Sequence, residues 1–235
     1  MGKKTILEKL IQEGETWILT DKNRYLQSET VSATIFCGQN LQNAMSCKNE
    51  EICVELTDPR GNHKEIFTIC NTGGCGQFSA NFEVTLCGMY TLVGKACGDF
   101  AEEGEGVSAY VKICSTCFFV GRRSTAATYP MDELIFSPED WEEPESYKLA
   151  SFFITERGEP IPFVPIKLVF YSTKKSLERD IFSDQNGNVF FLPYAEGSYC
   201  LIYRSSKVAP GSKKVSVTFS FAIPKQLPVA PILTK

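Results

Sequence analysis

From residue 31 onward, apolar and polar residues alternate along short runs, and each run is broken by Gly, Pro, Asn, Asp or Ser. A period of two sends successive side chains to opposite faces of an extended strand, whereas a helical face needs a period near 3.6. VSATIFC (31–37) puts Val31, Ala33, Ile35 and Cys37 on one face. ICVEL (52–56) turns Ile52, Val54 and Leu56 inward, with Cys53 and Glu55 outward. EIFTIC (65–70), FSANFEV (78–84), GMYTLVG (88–94) and VSAYVKI (107–113) continue the pattern, with DPRGN (58–62) and NTGG (71–74) between them as turns. Pro and Gly in those turns supply the backbone angles that reversals require. Strands with one apolar face must bury it against a second sheet, so this stretch predicts a β-sandwich of about one hundred residues.

The pattern stops and starts again. YPMDELIFSPEDWEEPESY (129–147) holds seven acidic residues, no basic one and three prolines. It reads as a connector, with a turn of helix at SPEDW where Ser137 would cap and Pro138 would sit first. Beyond it SFFIT (151–155), IKLVFYS (166–172), RDIFS (179–183), NVFFL (188–192), YCLIYRS (199–205) and VSVTFSFAI (215–223) again read as strands. Lys3, Lys4, Glu8 and Lys9 interleaved with Ile6, Leu7, Leu10 and Ile11 suit a short amphipathic helix ending near Gly14, not the uninterrupted apolar region of an export signal. The predicted organisation is all-β: an N-terminal arm (1–30), a Cys-rich sandwich (31–120), an acidic linker (121–147), a second sandwich (148–223) and a Pro-rich tail (224–235), the two antiparallel sandwiches being immunoglobulin-like or prealbumin-like in tandem.

Charge excludes some partners. The net charge of −4 offers no basic footprint for nucleic acid, and no run of eighteen apolar residues offers a membrane-spanning helix. Catalytic motifs are also missing from the sequence: the single histidine, His63, sits in the turn DPRGNHK, with no HExxH and no phosphate loop. No catalytic residue and no cofactor is expected.

Ten cysteines remain to be explained: Cys37, Cys47, Cys53, Cys70, Cys75, Cys87, Cys97, Cys114, Cys117 and Cys200. Nine fall within 37–117, and CNTGGCGQFSANFEVTLCGMYTLVGKAC (70–97) alone holds four. That concentration favours covalent staples, and with nine in one domain at least one must be free, reach Cys200 or bond another chain. Cys70 and Cys75 flank a turn and can approach bonding distance. Cys87 and Cys97 stand about 30 Å apart along an extended strand and need separate partners. The alternative is a zinc site of Cys70, Cys75, Cys114 and Cys117, from the CxxC at 114–117 and the x₄ spacing at 70–75.

The two halves also share a weak repeat: GQFSANFEVTLCGMYTLVG in the first, GNVFFLPYAEGSYCLIY in the second. In both, a Gly-x-Tyr enters a strand, which predicts a sharp turn at the glycine and a tyrosine whose ring is buried while its hydroxyl reaches backbone, as in tyrosine corners. GEPIPFVPIKLVF followed by SDQNGNVFFLPYAEGSYCLIY, about Gly158 to Tyr203, resembles the prealbumin-like sandwich of carboxypeptidase regulatory and Cna-B modules. That resemblance implies a rigid, non-enzymatic spacer or assembly module. Cna-B modules carry Lys–Asn isopeptide bonds. Lys148 and Lys167 are the amines available here, but no Asn ends VSVTFSFAI, so none is expected.

These features lead first to a self-assembling structural subunit, by weaker analogy a pilus or spore-surface fibre protein. Its partner would be itself, joined by inter-subunit disulfides and by a strand exchanged from residues 15–30 or from the tail, at a cell or spore surface. The alternatives are an adhesin-type binding module with contact loops at AEEGEG (101–106) and STKKS (172–176), and a cytosolic zinc scaffold.

Overall fold

The computed structural model describes residues 14–38, 52–70, 77–102, 106–121, 134–138, 147–172, 175–205 and 214–223. The elements in chain order are β1 (Glu15–Thr20), β2 (Arg24–Tyr25), β3 (Thr30–Gly38), β4 (Ile52–Thr57), β5 (His63–Ile66), β6 (Ile69–Cys70), β7 (Gln77–Glu83), β8 (Gly88–Glu102) and β9 (Gly106–Val120). They continue with β10 (Leu134–Pro138), β11 (Ala150–Glu156), β12 (Glu159–Pro160), β13 (Pro165–Tyr171), β14 (Ser176–Phe182), β15 (Asn188–Phe191), β16 (Gly197–Arg204) and β17 (Lys214–Ile223). The described residues are all-β, as the alternation predicts.

Three sheets result. The first runs β1-β3-β7-β6, and the third runs β10-β11-β12 with β15 also on β11. Between them lies a nine-stranded sheet, β14-β13-β16-β17-β9-β8-β4-β5, with β2 beside β9. Pairing is antiparallel except for β17 with β9, in register Lys214↔Tyr110 to Phe219↔Ser115, and β2 with β9. The two sandwiches are therefore tandem in sequence but share one sheet, sewn through the parallel β9–β17 ladder.

Alternation along β9 shows how one sheet serves two cores. Ile113, Cys117 and Phe119 join a cluster with Ile135, Phe152, Ile154, Phe170, Val189 and Phe219, between the large sheet and the third. Cys114, Phe118 and Val120 join Ile18, Val31, Ile35, Val54, Phe82 and Tyr90, between the large sheet and the first. A strand buried on both faces reads as a continuous apolar run, as Cys117-Phe118-Phe119-Val120 does.

Four expectations change. Residues 15–20 are not a spare arm: β1 pairs with β3 from Glu15↔Gly38 to Thr20↔Ala33. Its outer edge is also covered, because Thr218 Oγ1 donates to Thr16 O, Ser220 Oγ donates to Ile18 O, and Ile18 N donates to Ser220 Oγ at 3.1 Å. An edge whose backbone groups are already bonded does not need a neighbour's strand. Trp17, 3% exposed, stacks on Phe36 at 5.4 Å and packs with Val169, Cys200 and Ile202 of the second half. Burying an indole that way contributes about 3–5 kcal/mol by the cost of its removal. Buried Glu15 adds an ion pair with Arg204.

Second, the acidic stretch contains a strand. β10 pairs with β11, and Ile135 and Phe136 are buried in the second core, because three apolar residues in a row outweigh the acids around them. Ser137 and Pro138 end that strand, where the turn of helix was expected; residues 139–141 lie outside the described residues. Third, EIFTIC is not one strand. It leaves the nine-stranded sheet after Ile66 and enters the first sheet as β6, with Phe67 89% exposed at the crossing. Fourth, GMYTLVG and VSAYVKI are parts of a hairpin whose arms are 15 residues each. The amphipathic helix expected over the first fourteen residues and the tail 224–235 lie outside the described residues.

The Gly-x-Tyr repeat appears twice with the same geometry. Tyr90 OH accepts from Leu86 N at 2.9 Å, and Tyr199 OH accepts from Ala195 N at 3.1 Å and donates to Ala195 O at 2.8 Å. Gly88 (φ 139°) and Gly197 (φ 147°) take angles that L residues avoid. A second repeated device accompanies it. In DPRGN, Asp58 Oδ1 accepts from Arg60 N and Asn62 N, and Oδ2 from Asn62 Nδ2, at 2.8–2.9 Å. In DQNGN, Asp184 makes the same three bonds to Asn186 N, Asn188 N and Asn188 Nδ2 at 2.7–2.8 Å.

Candidate functional site

The second sandwich is open along one side. β14 ends the nine-stranded sheet and β15 ends the third sheet, so each has a single ladder partner among the described residues. Between them lies a cleft of about 200 Å³ whose walls include Leu168, Phe170, Ile181, Phe191 and Tyr199. The alternation in Ser-Leu-Glu-Arg-Asp-Ile-Phe decides what faces it. Leu177, Arg179 and Ile181 line the cleft, while Glu178, on the other face, receives Lys167 Nζ at 3.0 Å. The register sets Arg179 opposite Leu168 and Leu177 opposite Phe170. On the far wall Phe190, Leu192 and Tyr194 form the rim.

The floor is aromatic. Phe170 lies 4.9 Å from Tyr194 and 4.8 Å from Tyr199, ring centre to ring centre. Leu177 and Leu192 at the mouth are about half exposed, at 49% and 53%, which is a cost unless something covers them. A more open hollow continues outward over Lys175, Ser176, Leu177 and Tyr194. The expected contact loop STKKS therefore borders this cleft: Ser172 N donates to Lys175 O at 2.8 Å and Lys175 N to Ser172 Oγ at 3.2 Å, which fixes the turn. Of AEEGEG, Ala101, Glu102 and Gly106 belong to the tips of β8 and β9, and residues 103–105 lie outside the described residues.

Electrostatically the cleft is one-sided. Among the described residues no carboxylate lines either hollow, and neither Arg179 nor Lys175 makes an ion pair. Burial raises the Tyr194 hydroxyl above its ordinary pKa, and burial also raises Tyr199, against the opposing bonds from Ala195 and Tyr194 backbone. The lining thus offers apolar surface, neutral phenols and two cations. Among the described lining residues no general acid is paired with a base.

The cysteines do not converge. Cys37, Cys114, Cys117 and Cys200 are buried, and Cys53, Cys87 and Cys97 are exposed, all seven with free thiols. Burial holds the Cys114 and Cys200 thiols far above the usual range, where they are inert as nucleophiles. Cys114 Sγ donates to Gly94 O at 3.5 Å. The exposed Cys53 is also raised, by burial first and then by the charge and hydrogen bond of Glu65, 3.8 Å away. Cys87 precedes β8 and Cys97 lies well along it, so the two cannot meet. Cys70 falls on β6, and Cys47 and Cys75 lie outside the described residues.

The four-thiol zinc alternative is corrected by β9. Residues three apart on a strand face opposite sides, and Cys114 and Cys117 indeed belong to different cores, so they cannot share one tetrahedral site. Among the described residues no group of three His, Cys, Asp or Glu side chains converges. His63 opens β5, and its Nδ1 meets both Glu55 Oε1 at 2.6 Å and Thr57 Oγ1 at 3.1 Å. A catalytic dyad oriented by a carboxylate needs the two ring nitrogens to have different partners, and among the described residues both partners of this histidine meet Nδ1. Lys167, one of the two isopeptide candidates, is held by Glu178 at the surface.

No family model and no curated protein matches the sequence. Among solved structures, the chain is similar to a DUF4785 family protein from Legionella pneumophila (TM-score 0.33, 10% identity, covering 79% of this chain and 51% of that one). It is similar to FdeC, an Escherichia coli adhesin (0.28, 14%, 87% and 63%), and to a tetra-tandem repeat of the extending region of a large adhesion protein (0.28, 12%, 90% and 49%). The chain spans about half the length of the first of these. At such scores the likeness is one of β-sandwich architecture only.

Proposed function

We propose that this chain is a non-enzymatic binding module of adhesin type, two sandwiches joined by a shared sheet, that holds its ligand in the cleft between β14 and β15. The observation that carries the reading is the cleft itself: an aromatic floor, a rim of half-exposed leucines and two cations, Lys175 and Arg179, that make no ion pair among the described residues. We assign it to an extracellular or cell-surface setting. We keep the prealbumin-like reading of Gly158 to Tyr203 for the second sandwich on its sequence pattern. No described helix is long and apolar enough to cross a membrane.

The test is surface plasmon resonance with the immobilised chain against extracellular-matrix proteins and glycans. Leu177→Asp should abolish any binding seen, and Phe67→Asp, at a more exposed site at the crossing between β5 and β6 in the first half, should leave it intact. Equal binding by Leu177→Asp and wild type to every partner would overturn the reading, as would no binding at all.

A second reading, assembly into disulfide-linked fibres, has one observation in its favour. Cys53, Cys87 and Cys97 are solvent-exposed thiols available to another chain. Non-reducing electrophoresis of native material should then show ladders that collapse on reduction, and monomers under both conditions would dismiss it.

A further inference from the structure

Ligand class follows from charge and size in the cleft. Among the described residues twelve line its two hollows, of which Lys175 and Arg179 are charged, both cationic. In a chain of net charge −4, that local excess is not a sampling of the average surface. The acids of the same strand, Glu178 and Asp180, alternate to the opposite face, where Lys167 takes Glu178. Arg179 thus shares the cleft lining with Leu177, Ile181 and Leu168, opposite Leu168 in the ladder. A guanidinium fork recognises a planar anion such as a carboxylate.

The cleft volume of about 200 Å³ bounds the apolar part. A dry cavity near 150 Å³ lined by aliphatic and aromatic side chains takes up benzene. The space here accepts one aryl ring or a short acyl chain, and is too small for a second ring system. Phe170, Tyr194 and Tyr199 give that group aromatic faces to stack on.

We infer that the cleft binds a small amphiphilic carboxylate, an aryl or short-chain acyl acid, with its apolar end on the Phe170–Tyr194–Tyr199 floor and its carboxylate between Arg179 and Lys175. This rests on the reading of the cleft as the binding site. Binding buries the exposed faces of Leu177 and Leu192 and gives both cations an anionic partner.

The experiment is methyl-resolved NMR titration of the full chain with octanoate, and with octan-1-ol as the neutral probe, at low and high salt. Octanoate should shift the Leu177, Leu192 and Ile181 methyls in a saturable way and bind roughly fivefold to tenfold more tightly than octanol. That is the expected scale for one or two solvent-accessible ion pairs. Salt should narrow the difference. Arg179→Gln should lose about fivefold for octanoate and nothing for octanol, a contrast that a folding defect would not produce. Equal affinity for the two probes, or shifts away from the cleft, would overturn the assignment. So would a peptide ending in phenylalanine that binds the same methyls at least tenfold more tightly, since it would move the site to a polypeptide partner. If octanoate fails while Leu177→Asp still abolishes binding in the surface assay, the ligand class falls and the binding module stands. If both fail, both fall.

Discussion

The two halves are built with the same pair of devices and differ at one edge. Each has a glycine at positive φ two residues before a tyrosine that bonds backbone four residues upstream, and each has an Asp-x-x-Gly-Asn turn tied by three bonds to one carboxylate. In the first half the strand after the aspartate turn pairs back as the β4–β5 hairpin, Thr57↔His63 to Val54↔Ile66. In the second, the matching turn carries the chain from β14 in one sheet to β15 in another, and the two edges part. Equivalent corners thus fix the scaffold; the chain changes sheet after β5 in the first half and at the aspartate turn itself in the second, where the cleft lies between β14 and β15.

The largest expected effect concerns what holds the halves together. Trp17→Ala removes the indole shared by β1 and the Val169–Cys200–Ile202 patch and should cost about 3–5 kcal/mol. Calorimetry should show the single transition splitting, with the half containing β1 and β3 melting first. A single transition displaced by less than about 1 kcal/mol would mean that the β9–β17 ladder alone joins them.

Next come the corners. At Gly197 a Cβ would lie 2.6 Å from Tyr171 O and 2.7 Å from the Phe170 ring, besides the strained φ, which Gly88 shares. Gly197→Ala should therefore destabilise by roughly 3 kcal/mol and Gly88→Ala by about 1–2 in chemical denaturation. Equal costs would deny the tighter packing of the second corner. Removing the hydroxyls should be milder and in the same order. Tyr199→Phe loses a donor and an acceptor bond, for about 1–2 kcal/mol, and Tyr90→Phe about 1.

The smallest effect is a pH dependence common to both halves. For Asp58, burial works to raise the pKa, but bonds from Asn62 and Arg60 outweigh it. For Asp184 the Asn188 side chain leads in lowering it. Folded pKa values below the unfolded value of 3.8 mean stability that is complete above that pH and lost as pH falls through the folded values. The melting temperature of wild type should fall below about pH 4 more steeply than that of the Asp58→Asn/Asp184→Asn double variant. Parallel curves would remove the turns from the account.

Much of this was legible in the sequence because it is local. Alternation marks strands such as 31–37 and 52–56, and Gly-x-Tyr marks both corners, since each depends on neighbours a few residues away. The aspartate turns carry an equally local signal, Thr-Asp-Pro-Arg-Gly-Asn against Ser-Asp-Gln-Asn-Gly-Asn. What could not be read is non-local. Nothing in Tyr110–Ser115 or Lys214–Phe219 states that they pair in parallel across a hundred residues. Leu134-Ile135-Phe136 is masked by its acidic surroundings. Cysteine density suggested staples, but strand parity sends Cys114 and Cys117 to different cores. The cleft depends on which two edges end side by side, which is a property of the assembled sheets.

The comparison between the halves is tested most directly by a methyl-detected screen of the whole chain against a library of small apolar fragments. A cleft between β14 and β15 predicts that binders perturb Leu177, Ile181 and Leu192 and leave the buried Val31, Ile35 and Leu92 methyls of the first core unmoved. Fragments that gather in the first half, or that find no preferred site, would contradict the account.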